Sequence, residues 1–149
     1  MKRLLFVCIE NAGRSQMAEA FAKVAGFDAK SAGTIPAKTV NPDVVNAMKE
    51  VGIDLGSKVP RLLDVNMLGW ADAVVTMGCS IESVCPVVML EKMNVKKIAW
   101  NIEDPKGKDI KTVRRIRDEI RATMKLSAEK SPFSVLTVFL PMSSTLVSS

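Results

Sequence analysis

The sequence predicts an open, parallel α/β sheet. A short, wholly apolar run at residues 4–7 has the pattern of a strand buried on both faces, and residues 73–77 and 95–100 are further strand candidates. Between them lie segments with apolar residues at helical spacing, and strands alternating with helices imply parallel pairing through crossover helices. In such sheets ligands bind at the carboxyl ends of strands. Cys8, residues 77–79 and residues 101–104 all follow those runs, so topology could bring them to one edge.

The elements follow in order. Leu4, Leu5, Phe6 and Val7 form the first strand. Met17, Ala18, Phe21, Ala22 and Ala25 then recur at helical spacing, and Gly26 is a natural stop. Residues 29–32 make a short second strand ending at Gly33. Asn41 suits the N-cap of a second helix and Pro42 its first position. Its apolar face is Val44, Val45, Ala47, Met48 and Val51, closed by Gly52. Residues 59–65 are ambiguous and can hold a short strand. Residues 73–77 and 95–100 complete the sheet. Residues 112–126 form a long helix with Val113, Ile116, Ile120 and Met124 on one stripe. Arg114, Arg115 and Arg117 read as its solvated face. Residues 127–149 differ in character, with an apolar run between Pro132 and Pro141 and a Ser-rich end. They read as an extra strand, an interface segment or a disordered tail. The expected organisation is one domain over residues 1–126 and a C-terminal extension over 127–149.

Length and composition bound the function. A chain of 149 residues suits one domain with a sizeable core. No apolar run reaches the roughly 18–20 residues that span a membrane, and the N-terminus lacks a signal-peptide pattern. A cytoplasmic location without membrane partners is expected. The net charge of +5 would attract small oxyanions or an acidic partner. Nucleic acid is not expected, because basic and aromatic residues are not interleaved. The absence of His removes Ser–His and Cys–His pairs and His-based metal sites. Three cysteines, Cys8, Cys79 and Cys85, suit neither a disulfide framework nor a four-ligand zinc site. No metal and no cofactor are expected.

The most informative segment is Cys8-Ile9-Glu10-Asn11-Ala12-Gly13-Arg14-Ser15, a short loop between strand and helix. Such a loop can converge its backbone N–H groups on one point at the positive end of the helix, where a tetrahedral oxyanion binds. Residues 9–14 would be its walls. Arg14 can grip two of the anion's oxygens. Cys8 would face the anion's centre, and the same field favours its nucleophilic thiolate. The plainer reading of Cys8 is a small core residue at a strand end.

Two further features have two readings each. Asp104-Pro105 is either a simple turn or a carboxylic acid held where it can protonate a leaving oxygen. Cys79 and Cys85 are six residues apart. In a helix that is a rise of ~9 Å, beyond the roughly 4.4–6.8 Å between Cα atoms that a disulfide needs. They are either unconnected core thiols or a pair that bridges where Gly78 and Pro86 unwind the chain.

Together these residues resemble the thioredoxin-coupled arsenate reductases, which share the fold of low-molecular-weight protein tyrosine phosphatases. The resemblance runs from about Arg3 to Leu126. It is carried by residues 8–21, Ser31-Ala32-Gly33, residues 41–54, residues 71–76, Cys79 with Cys85-Pro86, Asp104-Pro105 and Arg117-Asp118-Glu119-Ile120. It implies an open three-layer fold with a mostly parallel, four-stranded sheet flanked by helices. It also implies roles. Cys8 attacks arsenate held by the loop and Arg14, with phosphate or sulfate as competitors. Ser15 stabilises the thiolate, Asn11 holds the loop and Asp104 protonates the departing oxygen. Cys79 then attacks Cys8, Cys85 attacks Cys79, and thioredoxin reduces the resulting bridge.

The alternatives are a tyrosine phosphatase of the same fold and a non-catalytic, oxyanion-binding redox sensor. Phosphatases of the family usually place aromatic residues near Asp-Pro and a second cysteine in the loop. Here Lys106-Gly107-Lys108 and Ala12-Gly13 stand there. The Cys79–Cys85 spacing is one residue shorter than in the resembling reductases. Glu10 places a carboxylate in an anion loop, so its side chain must turn away. Some members hold a potassium ion near the positions of Asn11, Glu19 and Ser31. Val59 and Arg61 replace its further ligands here, so no ion is expected and Arg61 is the candidate for the positive charge.

Overall fold

The computed structural model describes residues 2–78 and 95–129. In chain order the elements are β1 (Arg3–Cys8), α1 (Arg14–Val24), β2 (Asp28–Gly33), α2 (Pro42–Lys49), α3 (Val65–Trp70), β3 (Ala73–Met77), β4 (Lys96–Trp100) and α4 (Ile110–Glu129). The four strands are parallel in the order β2-β1-β3-β4. The chain leaves β1 to one side for β2 and returns to its other side for β3. The order therefore reverses beside β1, and the crevice at its carboxyl end is where such sheets bind ligands. Cys8 is the last residue of β1.

β1 is apolar from Leu4 onward because both its faces are covered there. Leu4, Phe6 and Cys8 join the core under α1, α2 and α4, with Met17, Phe21, Met48, Ile116 and Ile120. Leu5 and Val7 face the opposite way, onto Leu68, Val74 and Val95 beside α3. Helices on both faces give the three layers. The stripe Val113, Ile116, Ile120 and Met124 is buried as its spacing implies. Asn41 caps α2, its Oδ1 accepting from the Asp43 N–H at 2.9 Å.

Three expectations change. In the ambiguous stretch 59–65 only a single bridge forms, between Gly33 and Leu62, and Val65 opens helix α3. α4 runs past residue 126 to Glu129. Arg117 is not on a solvated face but is 8% exposed. It donates to the Ala47 carbonyl at 2.9 Å and to Glu50 at 2.7 Å, and its Nε donates to Asp118 at 2.8 Å. Buried charge survives where it is paired and hydrogen-bonded, and Glu50, following α2, provides that. Arg114 binds the same carboxylate through Nε and Nη2. No helix among the described residues is long and apolar enough to cross a membrane.

Candidate active site

The loop after β1 is shaped from outside. The carbonyls of Ile9, Glu10 and Ala12 accept from the N–H groups of Ile35, Ala37 and Asn41 at 2.8, 3.0 and 2.9 Å. No described peptide is cis, and a trans peptide points its N–H opposite its carbonyl. The N–H groups of Glu10, Asn11 and Gly13 therefore turn inward. The Asn11 N–H indeed meets Cys8 Sγ at 3.2 Å. α1 begins at Arg14 without a side-chain cap, so its free N–H groups face the same place.

Asn11 organises the floor. Its φ is 52°, in the left-handed region where Asn is tolerated among L residues. Its Oδ1 accepts from the Arg61 backbone N–H at 2.9 Å, which fixes which end of the amide is oxygen. Its Nδ2 must then donate, to Ser15 Oγ at 2.7 Å and Ser31 Oγ at 2.9 Å. With Ser15 Oγ accepting from Asn11, its own proton is free for Cys8 Sγ, 2.9 Å away. A donor at that sulfur favours the negatively charged thiolate.

Behind Ser31 lies Glu19, whose side chain is 2% exposed. It accepts from Ser31 at 2.6 Å and from Lys23 and Lys58 at 2.8 Å each. Burial pushes its carboxyl up, but the hydrogen bonds from Lys23, Lys58 and Ser31 outweigh it, and the net shift is below the ordinary value. Arg61, the sequence's candidate cation, stands farther off at 3.7 Å. Lys58 was not legible as its partner. A potassium ion does not fit here, because both oxygens of Glu19 already accept and ammonium groups occupy the approach.

Arg14 is fixed from the opposite wall. Its Nη1 donates to the Ile102 carbonyl at 2.9 Å, and its Nη2 lies 3.7 Å from Asp104 Oδ2. Gly78, at φ 83°, lies so close that a Cβ there would collide with the Arg14 guanidinium. Asp104 Oδ1 accepts from the Lys106 N–H at 3.0 Å, while its other oxygen faces the pocket. Glu10 is turned to Lys106, Oε2 to Nζ at 2.9 Å, and this contact raises the Lys106 pKa.

The result is a cavity of about 550 Å³ lined by the loop residues Cys8, Ile9, Glu10, Ala12, Gly13 and Arg14, by Ala37, Thr39 and Asn41, and by Asp104, Pro105, Lys106 and Gly107. Ser15 and Asn11 stand directly behind it, both buried. Cys79 and Cys85 lie outside the described residues. Among the described residues no three His, Cys, Asp or Glu side chains gather as a metal site.

A family model for low molecular weight phosphotyrosine protein phosphatase matches residues 3–130. The chain belongs to this family. Within it, the chain is 41% identical over 131 residues to an arsenate reductase of Brevibacillus brevis, covering 86% of this chain and 95% of that one. Two solved family structures superpose well. The YwlE arginine phosphatase of Geobacillus stearothermophilus has a TM-score of 0.74 at 25% identity, over 94% of this chain and 97% of that one. An arsenate reductase in a phosphate-binding state has 0.71 at 27% identity, over 87% and 98%. The all-parallel sheet and its flanking helices are the phosphatase-family fold.

Proposed function

We propose that this family member is an arsenate reductase that forms arsenite through a relay of Cys8, Cys79 and Cys85. The observation that carries the reading is convergence on Arg14. Cys8 opens the loop that Arg14 closes, and Gly78, packed against the same guanidinium, is the residue before Cys79. The 41% identity to a reductase adds weight.

The inward amides and Arg14 hold the arsenate oxygens. The Cys8 thiolate, stabilised by Ser15 and the Asn11 N–H, attacks arsenic, and Asp104 protonates the oxygen that leaves as water. Cys79 then attacks Cys8 Sγ. The electron pair of the arsenic–sulfur bond passes to arsenic, which leaves as arsenite, and a Cys8–Cys79 disulfide remains. Cys85 attacks Cys79, frees Cys8 and leaves a Cys79–Cys85 disulfide for thioredoxin to reduce. Phosphate and sulfate compete for the pocket without being reduced.

The test is arsenite production with thioredoxin, thioredoxin reductase and NADPH, beside Cys79→Ser and Cys85→Ser. Turnover that both substitutions abolish supports the relay. Cleavage of an aryl phosphate that survives both, with arsenate unreduced, replaces the proposal with a phosphatase. A reversible disulfide with neither turnover replaces it with a redox sensor.

A further inference from the structure

The segment Asp104-Pro105-Lys106 touches the Cys8 loop at three points. Asp104 faces Arg14 at 3.7 Å. Pro105 packs on Gly13, where a Cβ would stand 3.0 Å from its ring. Lys106 Nζ meets Glu10 Oε2 at 2.9 Å. The reaction described above uses the first contact, and the second seats the segment. The third has no part in it, and Glu10 poses a physical problem. It borders the anion cavity, and a bare carboxylate there repels an oxyanion that carries two charges.

We propose that Lys106 determines the affinity of the pocket for oxyanions by masking the charge of Glu10. With the ammonium on the carboxylate, the loop presents its amides and Arg14 to the ligand without an opposing charge. Lys106 acts through Glu10 and is a positioning residue rather than a catalytic one. Its backbone N–H also donates to Asp104 Oδ1 at 3.0 Å. One short segment thus brings the acid to the pocket and cancels the unfavourable charge beside it. The two side chains are 67% and 39% exposed. Such a pair adds little to stability, and its effect falls on the local potential, where salt weakens it.

The proposal rests on the oxyanion reading of the Cys8 pocket but not on arsenic chemistry, so binding tests it separately from turnover. Inorganic phosphate is titrated calorimetrically at low ionic strength into the wild type, Lys106→Gln, Lys106→Arg and the double variant Glu10→Gln/Lys106→Gln. The expected result is weaker binding by about fivefold or more in Lys106→Gln, as for an unmasked nearby charge. Lys106→Arg and the double variant recover most of that loss. In steady-state assays the arsenate KM of Lys106→Gln rises in parallel while kcat changes little. Equal weakness of Lys106→Gln and the double variant overturns the proposal, because Lys106 then contacts the anion itself. Unchanged affinity in Lys106→Gln overturns it too. A wild type that binds neither phosphate nor arsenate removes the oxyanion reading, and the masking role with it.

Discussion

Asn11 combines a backbone at φ 52° with an amide that holds Ser15, Ser31, Gln16 and the Arg61 backbone. Removing a buried amide strands several partners at once, so Asn11→Ala is expected to cost about 2–4 kcal/mol in urea denaturation. Asn11→Gly loses the same hydrogen bonds but relaxes the left-handed backbone, and should be about 1 kcal/mol less harmful than Ala. Equal losses would show that the backbone strain is immaterial. At Ser15 the expectation is chemical. Ser15→Ala removes one donor at the Cys8 sulfur, so alkylation of Cys8 by iodoacetamide should slow about fivefold, the effect of one hydrogen bond. The comparison is made in a background with Cys79 and Cys85 replaced by Ser, so that only one thiol reports.

Helices α2 and α4, which pack side by side on one face of the sheet, are joined by Glu50, which takes both Arg114 and Arg117. Hydrogen bonds from Arg114 and then Arg117 lower its carboxyl from 4.5 to about 2. A carboxyl lowered on folding contributes stability above its unfolded value and loses it as pH falls toward the folded one. The melting temperature should therefore decline between about pH 4.5 and 2, and Glu50→Gln should flatten that decline while lowering the melting temperature at neutral pH. β1 and β3 were legible because burial on both faces leaves an almost unbroken apolar run, and α4 because twenty residues display its period. α3 was not, since six residues are under two turns and Val65 alone looks strand-like. Arg117 was misread because its partners, the Ala47 carbonyl and Glu50, belong to another element. Lys58 was missed for the same reason, standing 39 positions from Glu19 in the chain. A charge on a helix face or in a loop announces its type, but its partner is a product of the fold. The Cys8 loop was legible because its chemistry is local, a thiol, a glycine and an arginine within one turn of chain.

At the scale of the whole molecule, the site is held by parts distant in sequence. Ile35, Ala37 and Asn41 turn the loop, Arg61 fixes Asn11, and Ile102 anchors Arg14. A ligand that bridges the loop and Arg14 should therefore stabilise the entire fold. Phosphate at a hundredfold its Kd should add about 2.7 kcal/mol, a rise of roughly 5–10 °C in melting temperature for a chain of this size. Arg14→Ala should show almost none of that rise in differential scanning calorimetry. The Ile102 anchor has a consequence in time as well. Arg14 is 88 residues ahead of it, and at about 5–20 residues per second on the ribosome that separation lasts roughly 4–18 s. During that interval Cys8 has been made but the wall that Ile102 supplies has not. A nascent thiol at Cys8 is open to stray oxidants before the protein can direct its reactivity.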